Sequence, residues 1–561
     1  MAKNSKSIMK ILAVASLIIF ARCANQLPPG GGEVDTIPPK IIEVYPENGT
    51  VNYHENYSEI SFSKYVDKRS VQDAIFISPA LLKPLKYDWS GKTLTVYFND
   101  SLKANTTYTV SIGTDVKDMN NGNKMAESLT FAFSTGNKID KGKIKGKIYD
   151  SSPDGVMIFA YQTNGKEADP TKQKPDYVSQ AGKNGNYSLL GLRDGDYSVF
   201  AIRDKFRDLL YQKNEDGFGV QNRKIELIDK TVEYDNVDFF LTMEDSVAPK
   251  ISNVIMKDRN HLLIEFSKSV DSTKIFGDNF IFYDSTSNKK IIPKYFFKGE
   301  GRSNQFYAAF TDSLEKKEGW VLISKNIPDM KNNLSSEEKN SFVIKNDRDT
   351  LALRIIKSAG LLPSEKVDFE EPVLMLNFND AVELSTIKER LTILDAKGKK
   401  IPLEVERADD ASFLIRLSEK LKQSTDYTLK LDLKNYSDLS GNKIDSVFQN
   451  KFSTSNELDF SGVSGTVAVN DTTQTLVVIE SAEAVKRTYK QKIDSKKNFD
   501  FKKVIPGKYL AWSFKDKNKN GKYDFGTIFP LKLSEEFKFY PDTLNLRARW
   551  PVGGVNIDFQ K

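Results

Sequence analysis

One cysteine and two histidines in 561 residues leave this chain poor in the side chains from which most catalytic centres are built. A lone thiol, Cys23, cannot close an internal disulfide. His54 and His261 are too few for a three-histidine metal site, and H-E-x-x-H is absent. G-x-S-x-G and G-x-x-x-x-G-K-S/T are missing as well, which removes the serine-hydrolase elbow and the common nucleotide loop. Charge of one sign is lacking too: Lys and Arg number 82 against 76 Asp and Glu, a formal +6. Without the four positive side chains Lys3, Lys6, Lys10 and Arg22, the remainder carries +2. A surface so nearly balanced offers no electrostatic footprint for nucleic acid. No stretch sustains a helical period. The main apolar region, Ile11 to Ala21, is about half the ~20 residues a membrane-spanning helix needs.

What is present begins with that region. Lys3, Lys6 and Lys10 precede it and Cys23 follows it directly, an arrangement of basic, apolar and cleavage segments. It resembles a bacterial lipoprotein signal, with Ile19-Phe20-Ala21-Arg22-Cys23 in the lipobox place and Arg22 where a small residue is usual. The resemblance implies a signal peptide over 1–22 and diacylglycerol on the sulfur of Cys23. A tether over 23–37 follows, rich in Pro28, Pro29 and Gly30 to Gly32, which favours a flexible spacer.

Beyond the tether, short alternating runs dominate: Glu59-Ile60-Ser61-Phe62, Thr93-Leu94-Thr95-Val96-Tyr97, Leu262-Leu263-Ile264-Glu265-Phe266 and Tyr427-Thr428-Leu429-Lys430-Leu431. Apolar residues at every second position put one face on a core and the other in water. With 35 Phe and 23 Tyr and turn clusters between the runs, the expected class is all-β, a series of tandem β-sandwich domains.

Internal repeats divide the chain. Phe62-Ser63-Lys64-Tyr65-Val66-Asp67 returns as Phe266-Ser267-Lys268-Ser269-Val270-Asp271 and as Phe378-Asn379-Asp380-Ala381-Val382-Glu383. Leu102-Lys103 leading to Thr107-Tyr108-Thr109 is echoed by Leu421-Lys422 leading to Asp426-Tyr427-Thr428. The turn Asp118 to Lys124 is matched by Asp438 to Lys443, and by Asp329 to Asn332 in a divergent middle copy. These marks resemble the bacterial Ig-like domain of the S-layer-protein type. A second unit occurs twice: Tyr187, Gly195, Tyr197 and Asp204 recur as Phe499, Gly507, Tyr509 and Asp516, each behind a Gly-rich opening strand. It is similar to the prealbumin-like sandwich found as a regulatory domain of carboxypeptidases. The expected order is Ig-like 38–138, prealbumin-like 139–244, Ig-like 245–347, Ig-like 348–457 and prealbumin-like 458–561. As a whole the chain resembles the Ig-like-domain lipoproteins of Bacteroidota envelopes. That implies an outer-membrane lipoprotein, its leaflet open, held to the membrane by its lipid.

Candidate sites are few. Both histidines read as surface or strand-edge residues. Paired carboxylates could serve a glycosidase, but the acids are too plentiful to single out a pair. In Asp516-Lys517-Asn518-Lys519-Asn520-Gly521-Lys522-Tyr523-Asp524, oxygen-bearing Asp516, Asn518, Asn520 and Asp524 stand at positions 1, 3, 5 and 9 of a calcium-type loop. Thr527 occupies the place of the bidentate Glu, so weak calcium binding or a plain turn is expected, and no other cofactor. Trp89, Trp320, Trp512 and Trp550 read as core residues. Bacteroidota share an O-glycosylation triplet, Asp-Ser/Thr before Ala, Ile, Leu, Val, Met or Thr. It occurs here with acceptors Thr36, Ser101, Ser246, Ser272, Ser285, Ser313, Thr350, Ser446, Thr472 and Thr543. Chance would give roughly two. The function expected is a non-enzymatic envelope scaffold for structure, adhesion or assembly. The alternatives are a glycan- or protein-binding lipoprotein of an uptake system and, third, a glycan-active enzyme.

Overall fold

The structure is a computed structural model that describes residues 34–79, 81, 83–99, 102–163, 165–228, 232–285, 287–311, 314 and 319–560. Cys23, the signal segment and the acceptors Ser101 and Ser313 lie outside the described residues. The chain divides into two compact units. The first holds the described residues up to Tyr211, with Phe218–Thr242 and Thr527–Leu533. The second holds Gln212–Gly217, Met243–Gly526 and the residues from Ser534 onward.

Three sandwiches share one plan. In the first, Ile41–Tyr45, Tyr57–Phe62, Thr93–Tyr97 and Lys86–Ser90 form an antiparallel sheet in that order, facing Ile75–Ser78, Thr107–Ile112 and Leu129–Ser134. Ile251–Met256, His261–Phe266, Gln305–Ala309 and Tyr295–Phe297 repeat the first sheet. So do Ile355–Gly360, Val373–Phe378, Ser412–Leu417 and Leu403–Asp409. Each copy even carries the same register shift in its opening strand: after Ile41↔Phe62, after Ile251↔Phe266 and after Ile355↔Phe378. The divergent middle copy therefore keeps the topology after losing most of the sequence marks. What it retains is the alternation, and alternation fixes which face is buried. Phe62, Phe266 and Phe378 sit at the same place in their three sandwiches, each at most 1% exposed. Burying a side chain of this size is worth roughly 1.5–3 kcal/mol.

Two further sandwiches close differently. Their Gly-rich opening strands, Gly142–Tyr149 and Ser461–Ala468, pair antiparallel on one side and parallel with late strands on the other. This packing explains the glycines. A Cβ on Gly146 would stand 2.0 Å from the carbonyl oxygen of Val237, and one on Gly465 would stand 1.8 Å from that of Val555. Only a residue without a side chain lets the returning backbone approach so closely.

Within the second unit, two sandwiches share a core. Phe297 and Ala309 pack into the cluster built from Leu374, Leu376, Phe378 and Phe413. Phe296 and Asp410 exchange hydrogen bonds across this seam, and Lys294 and Tyr295 both bond Glu383. Further along, the Lys503 ammonium reaches Asp368 at 2.7 Å and Glu370 at 2.9 Å and lies over the rings of Phe369 and Phe460.

Candidate functional site

The repeated Phe-Ser-Lys mark builds a latch. In the second copy of the Ig-like plan, the Lys268 ammonium lies 2.6 Å from both oxygens of Asp245 and 2.8 Å from Oδ2 of Asp329. It also donates to the carbonyl of Val247. Asp245 opens the sandwich, Lys268 follows its second strand and Asp329 heads the late turn, so one cation pins three separate places. Asp329 is 1% exposed, and its Oδ1 accepts the backbone N–H groups of Lys331 and Asn333. Burial alone would raise its pKa, but Lys268, the Asn333 amide and these N–H groups overcome that and bring it down to about 2. The first copy repeats the device with Asp35, Lys64 and Asp118. There the ammonium is 2.5 Å from Asp35 but 3.8 Å from Asp118.

The third copy reverses the charge. Asp349 stands six residues before Ile355, as Asp35 does before Ile41 and Asp245 before Ile251. Asp438 heads the late turn and accepts from Ser440 and Asn442 N–H as its counterparts do. Between them, where the other copies place lysine, stands Asp380. Three carboxylates thus replace a carboxylate–ammonium–carboxylate set.

The missing positive charge comes from the preceding sandwich. His261 Nε2 lies 3.1 Å from Asp380 Oδ1, and its Nδ1 lies 3.0 Å from both oxygens of Asp258. Asp258 Oδ1 also accepts the N–H groups of Asn260 and His261, which fixes the turn that aims the ring. Phe297 covers the imidazole edge-on. Burial opposes protonation of His261, yet hydrogen bonds to Asp258 and Asp380 and their charges outweigh it, lifting its pKa to about 10. Asp349 completes the group. Burial raises its pKa first, the N–H of Leu351 lowers it, and the charges of Asp258 and Asp380 add to the rise. Among the described residues, Asp258, His261 and Asp349 are the one set of three or more such side chains with ligand atoms all within 4.8 Å.

This corrects the sequence reading of His261. It opens a strand as expected, but it is 6% exposed rather than a surface residue. Its partner Asp380 is 119 residues away, beyond the reach of local pattern. His54 is exposed, as expected. Trp320 and Trp512 are buried and Trp89 is half-buried, but Trp550 is 72% exposed, against the expectation of a core role. It lies in the tight Arg547–Trp550 turn, held there by its backbone rather than its ring.

The Asp516 loop comes together in part. Asp516 is wholly buried and accepts the N–H groups of Asn520 and Gly521 and the side chain of Gln474. The amides of Asn518 and Asn520 donate instead to Asp524. Sequence reasoning missed Glu535. This buried carboxylate accepts from the N–H groups of Lys517 and Asp524. Burial raises its pKa, as do the charges of Asp524 and Asp516. It arrives from a later segment, so no spacing rule points to it. Of the triplet acceptors, Thr36, Ser246, Ser285, Thr350, Ser446, Thr472 and Thr543 are exposed and Ser272 is half-buried. Three of their aspartates, Asp35, Asp245 and Asp349, hold latch positions, which gives those triplets a structural reason of their own.

Comparison with known proteins agrees with this architecture. The bacterial Ig-like domain matches residues 35–135 and 353–454, the first and third copies. The chain thus contains two bacterial Ig-like domains. The unmatched middle copy carries the same sheet order between them. No curated protein matches the chain. Among solved structures, it is similar to the N-terminal part of the bacterial S-layer protein SbsC, at 15% identity over 38% of this chain and 45% of that one, with a TM-score of 0.17. It is also similar to a tetra-tandem repeat from the extending region of a large adhesion protein, at 12% identity over 78% and 97%, with a TM-score of 0.16. A third is Escherichia coli alpha-2-macroglobulin spanning domains MG0-NIE-MG1, at 10% identity over 36% of this chain and 97% of that one, with a TM-score of 0.17. The chain spans less than half of the S-layer fragment. Likeness at these scores carries no functional argument. No helix among the described residues is long and apolar enough to cross a membrane.

Proposed function

We propose that this Ig-like domain protein is a non-enzymatic, lipid-anchored scaffold of the cell envelope, serving structure, adhesion or assembly. The observation that carries this reading is the way polar chemistry is used. Among the described residues, the one clustered histidine–carboxylate group fastens one sandwich to the next, with the Phe297 ring edge-on to its imidazole. Lysine latches close single sandwiches from within, and the Lys503 bridge ties the third Ig-like copy to the last sandwich. In this reading the two Gly-opened sandwiches are prealbumin-like spacers and Cys23 carries the lipid of a Bacteroidota-type outer-membrane lipoprotein. The exposed triplet acceptors carry O-glycans.

Protein extracted from native envelopes should have an intact mass exceeding the polypeptide from Cys23 onward by a lipid and by sugar. Cys23→Ser should move it from the membrane fraction to the soluble one. A variant that stays with membranes and still takes up labelled fatty acid would overturn the anchor. A mass equal to lipidated polypeptide alone would overturn the glycans.

A further inference from the structure

We infer that Asp258, His261 and Asp349 form a binding site for a divalent cation of the zinc class at the seam between the second and third Ig-like sandwiches. Three observations converge. First, the repeat plan puts a cation here: two copies seat a lysine ammonium between the opening and turn carboxylates, and the third substitutes Asp380. Asp258, Asp349 and Asp380 then face a single imidazole, and among the described residues none of the three pairs with a lysine or arginine.

Second, the donor atoms are already gathered. Ligands held 2.0–2.2 Å from one tetrahedral ion lie about 3.3–3.6 Å from each other. His261 Nδ1 is 3.0 Å from the Asp258 oxygens, and an Asp349 oxygen lies within 4.8 Å of both partners. One imidazole with two carboxylates suits zinc-class ions better than calcium or magnesium, which take oxygen alone.

Third, the support for such a ligand is in place. Asp380 Oδ1 accepts from Nε2, the arrangement that fixes a metal-binding tautomer and leaves Nδ1 as the ligand atom. Its other oxygen, Oδ2, is buried and takes no hydrogen bond. A buried carboxylate with one oxygen left unbonded is costly unless positive charge stays close by. Binding requires Nδ1 to release its proton to solvent, after which the ion takes over the charge that the imidazolium supplied. Asp258 and Asp349 are half-buried, so an ion has a route in from water.

Titration of Zn²⁺ into the full chain, by calorimetry and by metal content after dialysis, tests the site. One zinc per chain is expected. Asp349→Asn should weaken binding by at least about tenfold. That variant removes a ligand but leaves the His261–Asp258 and His261–Asp380 contacts alone, so its melting temperature in chelator should match that of the parent. His261→Gln should abolish binding. Absence of stoichiometric zinc, or zinc uptake that Asp349→Asn leaves unchanged, would overturn the site. The second result includes zinc taken up by the Asp516 loop.

Discussion

The second and third Ig-like copies solve one problem in opposite ways. Each must hold its opening segment, the end of its second strand and its late turn together. The second copy does this from within, with Lys268 between Asp245 and Asp329. The third puts Asp380 at the same place and so cannot close its own latch. It is completed by His261 of the sandwich before it. A repeat that closes its latch from within needs no charge from its neighbour. A repeat whose charge is supplied by its neighbour is committed to that neighbour, and the shared core around Phe297 and Ala309 agrees with such a commitment.

Mutations that remove the central cation should rank the copies. His261→Ala strands two buried or half-buried carboxylates and should cost about 3–5 kcal/mol, the range for breaking a buried pair by deleting one partner. Lys268→Met leaves Asp329 buried against fewer donors and should cost about 1–3 kcal/mol. Lys64→Met should cost about 0–1 kcal/mol, because Lys64 is partly exposed and stands 3.8 Å from Asp118. Urea unfolding of the three variants measures the order directly. If Lys64→Met proves as damaging as His261→Ala, the distinction between the copies is lost.

Acid sharpens the comparison further. Asp329 has its folded pKa lowered to about 2, against an ordinary value of 3.8. Its contribution is therefore complete above about pH 4 and disappears as the pH falls through 2. Thermal melts between pH 5 and pH 2 should show a loss over that window, and Lys268→Met should reduce the slope. An unchanged slope would mean that the backbone N–H groups alone hold the Asp329 carboxylate.

The all-β class and the three-copy plan were legible because alternation and repeated marks are local. The middle copy could be placed by its Phe-Ser-Lys-Ser-Val-Asp start although most later marks are gone. The latches were half visible: the repeated Asp, Lys and Asp stood in the sequence, but nothing in a linear reading says that residues 61 and 84 apart meet around one ammonium. The acidic seam was not legible. Asp380 read as a loose match to a repeat mark, and His261 as an edge residue. Only the shared core brings them together. Glu535 was hidden for the same reason, since a carboxylate arriving from a later segment obeys no spacing.

The central claim is that charge for the third copy is supplied by the second. A double-mutant cycle between His261→Ala and Asp380→Ala, run in chelator so that no metal contributes, tests it most directly. Coupling of about 1.5–3 kcal/mol is expected, as for a buried hydrogen bond to a charged group. Losses that add to within about 0.5 kcal/mol would mean that the two residues act independently, and would contradict it.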